Sequence, residues 1–137
     1  MNRMVLDTSV AIAWYFDESF SRNARLWLKR FQEEEVDFVV PDLHFIEFGN
    51  VLRTFTKRES ISSKVAQFIH EAHLQSLLSR KNPDESALLE TALEYNATVY
   101  DASFIQLALE EQIPLLTAER RTREWVRKLG NLAIHVK

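Results

Sequence analysis

The sequence contains no cysteine, which excludes disulfide bonds and thiolate ligands for a metal ion. This absence fits a reducing compartment, and we predict a cytoplasmic protein. No stretch approaches the roughly 20 apolar residues that a membrane-spanning helix requires. The opening segment, MNRMVLDTSV, has neither a long apolar run nor a small-residue cleavage site. We therefore expect no secretory signal and no membrane attachment.

Glycine and proline are also scarce, with two and three copies among 137 residues, so the connections between elements must be short. The hydrophobic share of 46% and the charged share of 27% are those of an ordinary globular protein. We predict a single domain over residues 1–137. Excess positive charge is lacking as well. The net charge of −3 excludes a uniformly basic nucleic-acid coat protein, although residues 119–128 are locally basic.

Short apolar strands alternate with helices along the chain. The pattern predicts strands at 4–6, 36–41, 113–117 and 132–136, helices at 8–15, 20–34, 41–55, 61–78, 84–95 and 102–111, and a basic helix ending at 128. The segment ATVYDAS is predicted to carry a very short extended piece before the helix at Ala102. The alternation predicts a three-layer α/β/α sandwich with a mostly parallel central sheet. Such sheets place their chemistry beyond the carboxyl ends of the strands.

Four acidic residues stand where that crevice is expected. Asp7 ends the first strand, and Glu47 interrupts the apolar stripe of the helix after the second strand. Asp101 lies at the start of a later helix, and Glu119 follows the strand PLLT by two residues. Taken singly, each has a simpler interpretation. Asp7 and Asp101 would be helix caps, Glu119 would complement a helix dipole, and Glu47 would be a buried, satisfied carboxylate.

Taken together, the four acids predict a metal site. Two carboxylates about 5 Å apart repel by roughly 3 kcal/mol at an effective dielectric near 20. Protonation or a cation must relieve this repulsion, and oxygen ligands without cysteine or paired histidine suit Mg²⁺ or Mn²⁺. Such ions activate water and polarise phosphoryl oxygens, so we predict phosphodiester hydrolysis. The adjoining Arg120, Arg121 and Arg123 would position RNA phosphates, or would form only a solvated helix face.

Four segments resemble the signatures of the PIN-domain ribonucleases, and in particular the VapC-type toxins of toxin–antitoxin pairs. They are MVLDTSV, PDLHFIEFGNVL, VYDASFIQLA and PLLTAERR, which occur in order and with typical spacing. The resemblance extends from Met4 to about Val136. It is most specific in YDASFIQLA followed by PLLTA.

The resemblance implies an α/β/α sandwich and a Mg²⁺- or Mn²⁺-dependent endoribonuclease. Its acidic cluster corresponds to Asp7, Glu47 and Asp101, with Ser9 as the small polar residue supporting the first acid and Thr117 as the hydroxyl residue before the fourth. The resemblance also implies a structured RNA substrate such as transfer or ribosomal RNA, a homodimer, and inhibition by a small antitoxin.

The fourth acid departs from the family pattern. It is usually Asp in a TAD context, whereas this chain has Glu119 in TAE. The longer side chain would bind metal through water, hold the nucleophilic water, or leave a second metal site weak or empty.

Two alternative functions remain open from the sequence. The first is an RNA-binding protein of the same fold with a degenerate or structural metal site, which the Glu119 departure keeps open. The second is phosphotransfer at Asp7. It is disfavoured because LDTS lacks a second Asp two residues on and because no lysine follows a later strand end.

Overall fold

The computed structural model describes residues 2–137 as a parallel sheet flanked by helices. The strands are β1 Asn2–Leu6, β2 Val36–Val40, β3 Ser79–Arg80, β4 Leu115–Thr117 and β5 Ala133–His135. The helices are α1 Thr8–Tyr15, α2 Ser21–Gln32, α3 Leu43–Lys57, α4 Ser63–Leu74, α5 Leu88–Tyr95, α6 Val99–Glu111 and α7 Glu124–Leu129. Short 3-10 turns at Glu85–Ala87 and Gly130–Leu132 complete the regular structure of the described chain.

The five strands lie in the order β3-β2-β1-β4-β5, and all neighbouring pairs are parallel. β1 occupies the centre, where Met4 pairs with Phe38 of β2 and Val5 pairs with Leu115 of β4. A strand covered on both faces must be apolar on both, which explains the uninterrupted run Met4 to Leu6.

Two hydrophobic cores lie on opposite faces of the sheet. Met4 and Leu6 point into the core formed with α1, α2, α3 and α4. Val5 points into the other core, formed with α6 and α7. Successive side chains of a strand point to opposite faces, so the central strand supplies both cores. The predicted three-layer α/β/α sandwich with a parallel sheet is confirmed.

Three local predictions were wrong. The helix predicted over 61–78 ends at Leu74, and the chain then forms β3, whose two residues are too few to give a periodic signal. The extended piece in ATVYDAS does not form, because Thr98 caps α6 and its Oγ1 accepts a hydrogen bond from the Asp101 amide. The basic helix begins only at Glu124, leaving residues 118–123 as a loop.

Among residues 2–137, no helix is both long enough and apolar enough to cross a bilayer.

Candidate functional site

The four acids singled out from the sequence line one cleft of about 360 Å³ at the carboxyl ends of the central strands. Asp7 comes from the end of β1, Glu47 from α3, Asp101 from α6 and Glu119 from the loop after β4. The remaining lining side chains are Thr8, Ser9, Ile12, Val51 and Arg123. Parallel strands end at the same sheet edge, which is why residues far apart in sequence meet here.

Asp7 is held at the base of the cleft by the sheet itself. Its amide donates to the carbonyl of Leu116 at 3.0 Å, which extends the β1–β4 pairing by one residue. It occupies the N-cap position of α1, yet its side chain makes no capping hydrogen bond. The Thr117 hydroxyl instead donates to Asp7 Oδ2 at 2.7 Å.

The environment of Asp7 opposes a negative charge. The pKa of Asp7 is raised to about 6, chiefly by burial and also by the neighbouring carboxylates of Asp101 and Glu119, against the opposing effect of the Thr117 hydrogen bond. A carboxyl group in this state favours either a proton or a nearby cation.

Glu47 faces the same cleft from the first part of α3. The Thr8 hydroxyl donates to Glu47 Oε1 at 2.9 Å. Burial raises the pKa of Glu47 to about 7, and the charges of Asp7 and Asp101 act in the same direction. Within residues 2–137, Glu47 therefore has a hydrogen-bond donor but forms no ion pair, and burial disfavours its ionised form.

Asp101 lies in the first turn of α6. Thr98, and not Asp101, is the residue that caps this helix, so the simple capping interpretation of Asp101 is wrong. Burial raises the pKa of Asp101, while Arg123 lowers it and Glu119 raises it. Its carboxylate is thus free to face the cleft.

Glu119 differs from the other three acids because it has a basic partner. Its Oε2 lies 3.1 Å from Nε of Arg123. It also precedes α7 by several residues, so its interpretation as a first-turn acid of that helix is wrong. Its amide donates to Thr117 Oγ1 at 3.0 Å, and that hydroxyl in turn donates to Asp7. Thr117 therefore ties the two acids together.

The three arginines proposed to hold phosphates are not equivalent. Arg123 lines the acidic cleft and also a shallow neighbouring depression. Arg120 lines only that depression, alongside Asn96, Thr122 and Glu124. Arg121 is exposed and lines neither. The structure therefore brings one arginine of the three to the acids.

Two hydroxyl side chains complete the cleft. Ser9 lines it, and its buried Oγ has no hydrogen-bond partner among residues 2–137. Thr8 was not among the candidate residues taken from the sequence, but its contact with Glu47 makes it part of the site. Its position next to Asp7 in the segment DTS is the sequence signal that could have identified it as a site residue.

The side chains of the cleft offer the type of donor atom that a hard cation prefers. Four carboxylates and the unpartnered hydroxyl of Ser9 are oxygen donors, which Mg²⁺ and Mn²⁺ prefer. Over residues 2–137, however, no three acidic or histidine side chains are close enough together to hold one ion directly. An ion in this cleft would use fewer direct carboxylate contacts and complete its coordination with water, as Mg²⁺ commonly does.

A model of the PIN domain matches residues 4–128 of the chain. The chain therefore belongs to the PIN domain family, in agreement with the resemblance noted from its sequence motifs.

The relatives agree with this assignment. Ribonuclease VapC1 from two strains of Mycobacterium tuberculosis is 34% identical over 83 residues, which is 59% of this chain. The match spans 62% of the length of these curated relatives.

Solved structures support the fold. PAE2754 from Pyrobaculum aerophilum superposes with a TM-score of 0.66 at 24% identity, covering 98% of this chain and 91% of that one. A toxin–antitoxin complex from Klebsiella pneumoniae superposes with a TM-score of 0.62 at 13% identity and 98% coverage of both chains.

Proposed function

We propose that this protein is a Mg²⁺- or Mn²⁺-dependent endoribonuclease and the toxin of a VapC-type toxin–antitoxin pair. The observation that carries the proposal is the cleft in which Asp7, Glu47 and Asp101 lie together, with no basic side chain of residues 2–137 at hydrogen-bond distance. Burial raises the pKa of all three carboxyl groups, so a divalent cation in the cleft would stabilise their ionised forms. The family and the similarity to Ribonuclease VapC1 support RNA as the substrate.

The residues of the cleft take distinct roles in this proposal. Asp7 and Asp101 hold the ion, and Glu47 holds it or orients the attacking water. Thr117 and Thr8 fix the carboxylates of Asp7 and Glu47 through their hydroxyl groups. A divalent ion bound there supplies a Lewis acid for the phosphoryl oxygen and lowers the pKa of a water molecule.

Arg123 and Glu119 occupy the rim of the cleft in this proposal. Arg123 is half-exposed and close enough to the acids to contact a phosphate of an RNA strand entering the cleft. Glu119 keeps that guanidinium in place by its ion pair and adds a negative charge at the rim of the cleft. It is the acid whose direct role in metal binding we rank lowest.

A cleavage assay with a labelled RNA pool tests the proposal. We expect the wild-type protein to cut RNA in Mn²⁺ or Mg²⁺ and to lose this activity in EDTA. Asp7→Asn should abolish cleavage and still fold, which thermal unfolding verifies. Full activity of Asp7→Asn, or cleavage unaffected by EDTA, would overturn the assignment.

The Glu119–Arg123 ion pair favours a second candidate, an RNA-binding protein of the same fold that does not cleave. An acid engaged by arginine is a poorer metal ligand, and no three acidic side chains of residues 2–137 are close enough together to hold one ion directly. The same assay separates the two candidates. Retention of RNA on a filter without cleavage at any Mn²⁺ concentration supports the binder.

We further propose that the protein forms a homodimer, is inhibited by a small antitoxin, and cleaves a structured RNA such as transfer or ribosomal RNA. These proposals rest on the resemblance to VapC-type toxins. Light scattering of the purified protein measures its mass in solution. Expression of the protein alone should arrest growth, and co-expression of an adjacently encoded small protein that copurifies with it should relieve the arrest.

A further inference from the structure

A continuous series of four hydrogen bonds runs from the half-buried Tyr15 through two buried histidines to the cleft. The Tyr15 hydroxyl lies 3.0 Å from Nδ1 of His73, and Nε2 of His73 lies 2.8 Å from Nε2 of His44. Nδ1 of His44 then lies 3.1 Å from the Thr8 hydroxyl, which donates to Glu47 Oε1 at 2.9 Å. We call these five side chains, contributed by α1, α3 and α4, the histidine relay.

The two imidazoles of the histidine relay are neutral. His44 and His73 are each 0% exposed. Burial lowers the pKa of His44 to about 3 and that of His73 to about 4. A neutral imidazole carries one N–H donor and one acceptor nitrogen. Each ring can therefore satisfy both of its contacts only when one nitrogen donates and the other accepts.

The chemistry at the cleft end sets the direction of every bond. The Thr8 hydroxyl has a single proton, and it donates this proton to Glu47 Oε1. Thr8 must then accept from His44, which places the His44 proton on Nδ1. Nε2 of His44 consequently accepts from Nε2–H of His73, and Nδ1 of His73 accepts from the Tyr15 hydroxyl. All four bonds are satisfied in this one direction.

Packing prevents the two rings from turning away. His73 stacks on Phe48 with ring centroids 4.0 Å apart and an interplanar angle of 20°. His44 meets the edge of Phe45 with centroids 5.0 Å apart. A buried polar network that is fully satisfied rigidifies its surroundings, whereas a broken one leaves costly unpaired groups. Packing alone therefore does not explain the presence of two buried histidines in an otherwise apolar core.

We propose that Tyr15, His73 and His44 are positioning residues that act through Thr8 to fix the orientation of the Glu47 carboxylate in the cleft. The effect on catalysis rests on the proposed nuclease function. The polarity of the relay, by which we mean the direction in which its hydrogen bonds donate, does not. The hydroxyl of Tyr15 supplies the proton at the far end. Without it, His73 and His44 are free to exchange tautomers, and Thr8 is free to donate to His44 instead of Glu47.

Imidazole ¹⁵N spectra test the polarity of the relay without any assay of activity. Long-range ¹H–¹⁵N correlations distinguish Nδ1–H from Nε2–H tautomers, and His44→Gln and His73→Gln spectra assign the signals. Because the Thr8 hydroxyl donates to Glu47, we expect His44 as the Nδ1–H tautomer and His73 as the Nε2–H tautomer. Opposite tautomers, or a mixture in the wild type, would overturn the proposal.

Matched variants test the effect on Glu47. Thr8→Val removes the hydroxyl with little change of shape, and Thr8→Ser restores it. We expect Thr8→Val to lower kcat by about tenfold with KM nearly unchanged, as the loss of a hydrogen bond to a charged group implies, and Thr8→Ser to recover most of it. Tyr15→Phe should lower kcat by about threefold and produce mixed tautomers at His44.

Tyr95→Phe is the control, because it removes a tyrosine hydroxyl outside the relay. Mn²⁺ affinity, measured by electron paramagnetic resonance, should fall in Thr8→Val and stay constant in Tyr95→Phe. Unchanged tautomers, Mn²⁺ affinity and kcat in Tyr15→Phe would overturn the positioning role. If the wild type cleaves no RNA, the proposed function fails, yet the tautomer and Mn²⁺ measurements still decide the relay.

Discussion

The Thr117 hydroxyl donates a hydrogen bond of 2.7 Å to Asp7 Oδ2, across 110 positions of sequence. The same hydroxyl accepts from the amide of Glu119 at 3.0 Å. Because β1 and β4 are neighbours, one buried threonine fixes the positions of two acids that follow different strands. The hydrogen bond favours the ionised form of Asp7 but does not outweigh burial, which leaves the pKa of Asp7 raised to about 6.

Asp7→Asn should lower the cleavage activity and raise the stability of the metal-free protein. Asparagine keeps an oxygen that accepts from Thr117 and removes a charge that the fold opposes. We expect cleavage to fall by about a thousandfold or more, the scale of removing an essential group from a reaction centre. The metal-free variant should melt several degrees above the metal-free wild type at neutral pH. Single-turnover RNA cleavage and thermal unfolding in EDTA measure the two effects.

A lower melting temperature for Asp7→Asn in EDTA would contradict this prediction, since it would mean that the negative charge stabilises the empty site. Glu90→Gln provides the control. It neutralises an exposed acid on α5 outside the cleft and should change neither cleavage nor melting temperature.

The stability of the metal-free protein should depend on pH in a direction set by the cleft. The ordinary pKa values of Asp7 and Glu47, 3.8 and 4.5, rise to about 6 and about 7 in the folded state. Folding therefore favours the protonated forms. Their stabilising contribution is complete below the ordinary values and is lost as the pH rises through about 6 and 7.

Thermal unfolding in EDTA at several pH values measures this loss. The difference in melting temperature between Asp7→Asn and the wild type should grow from about pH 4 to about pH 7, which isolates Asp7 from other titrating groups. Added Mg²⁺ should abolish most of the difference, because an ion stabilises the ionised carboxylates. A difference that does not change with pH would show that Asp7 keeps its ordinary pKa in the folded protein.

Much of the fold and the site could be predicted from the sequence because the signals are local. The run MVL and the two leucines of LLT are apolar on both faces, which identifies central parallel strands, and an acid follows each strand within two residues. β3 gave no such signal, since two residues carry no periodicity. Its position at the sheet edge is set by pairing with β2, which only the folded chain supplies.

Side-chain partners were the part that the sequence did not reveal. His70 and His73 stand three apart on a helix, yet His73 bonds to His44, which is 29 positions away. The ion pair of Glu119 with Arg123 depends on the path of the loop before α7, where a helix had been expected. Such contacts follow from how the elements pack and not from the spacing of residues.

Arg123→Gln should weaken RNA binding more than Arg121→Gln. Arg123 borders the cleft, and its loss also leaves Glu119 as an unpaired negative charge facing the RNA. In the cleavage-deficient Asp7→Asn background, we expect the salt dependence of log K to decrease by about 0.7 for one lost single-strand phosphate contact. Fluorescence anisotropy across a salt series measures the slope.

Arg22→Gln, on the exposed face of α2, is the charge-matched control and should leave the slope unchanged. An unaltered slope in Arg123→Gln would place the RNA phosphates elsewhere on the protein. A larger effect in Arg121→Gln would indicate that the strand follows the outer face of the loop.

Glu119→Gln should reduce cleavage far less than Asp7→Asn does. Glu119 is paired with Arg123, and its side chain is 35% exposed, so it contributes less to the charge that the cation must balance. Its charge also raises the pKa of Asp7 and Asp101, and removing it lets both ionise more readily. We expect a loss of about tenfold at saturating Mn²⁺, equal to roughly 1.4 kcal/mol in the barrier.

Glu124→Gln, an acid in the first turn of α7 outside the cleft, should retain full activity. A loss in Glu119→Gln as large as that in Asp7→Asn would place Glu119 in direct contact with the ion or the attacking water, and the longer side chain would then replace the family's usual aspartate in function.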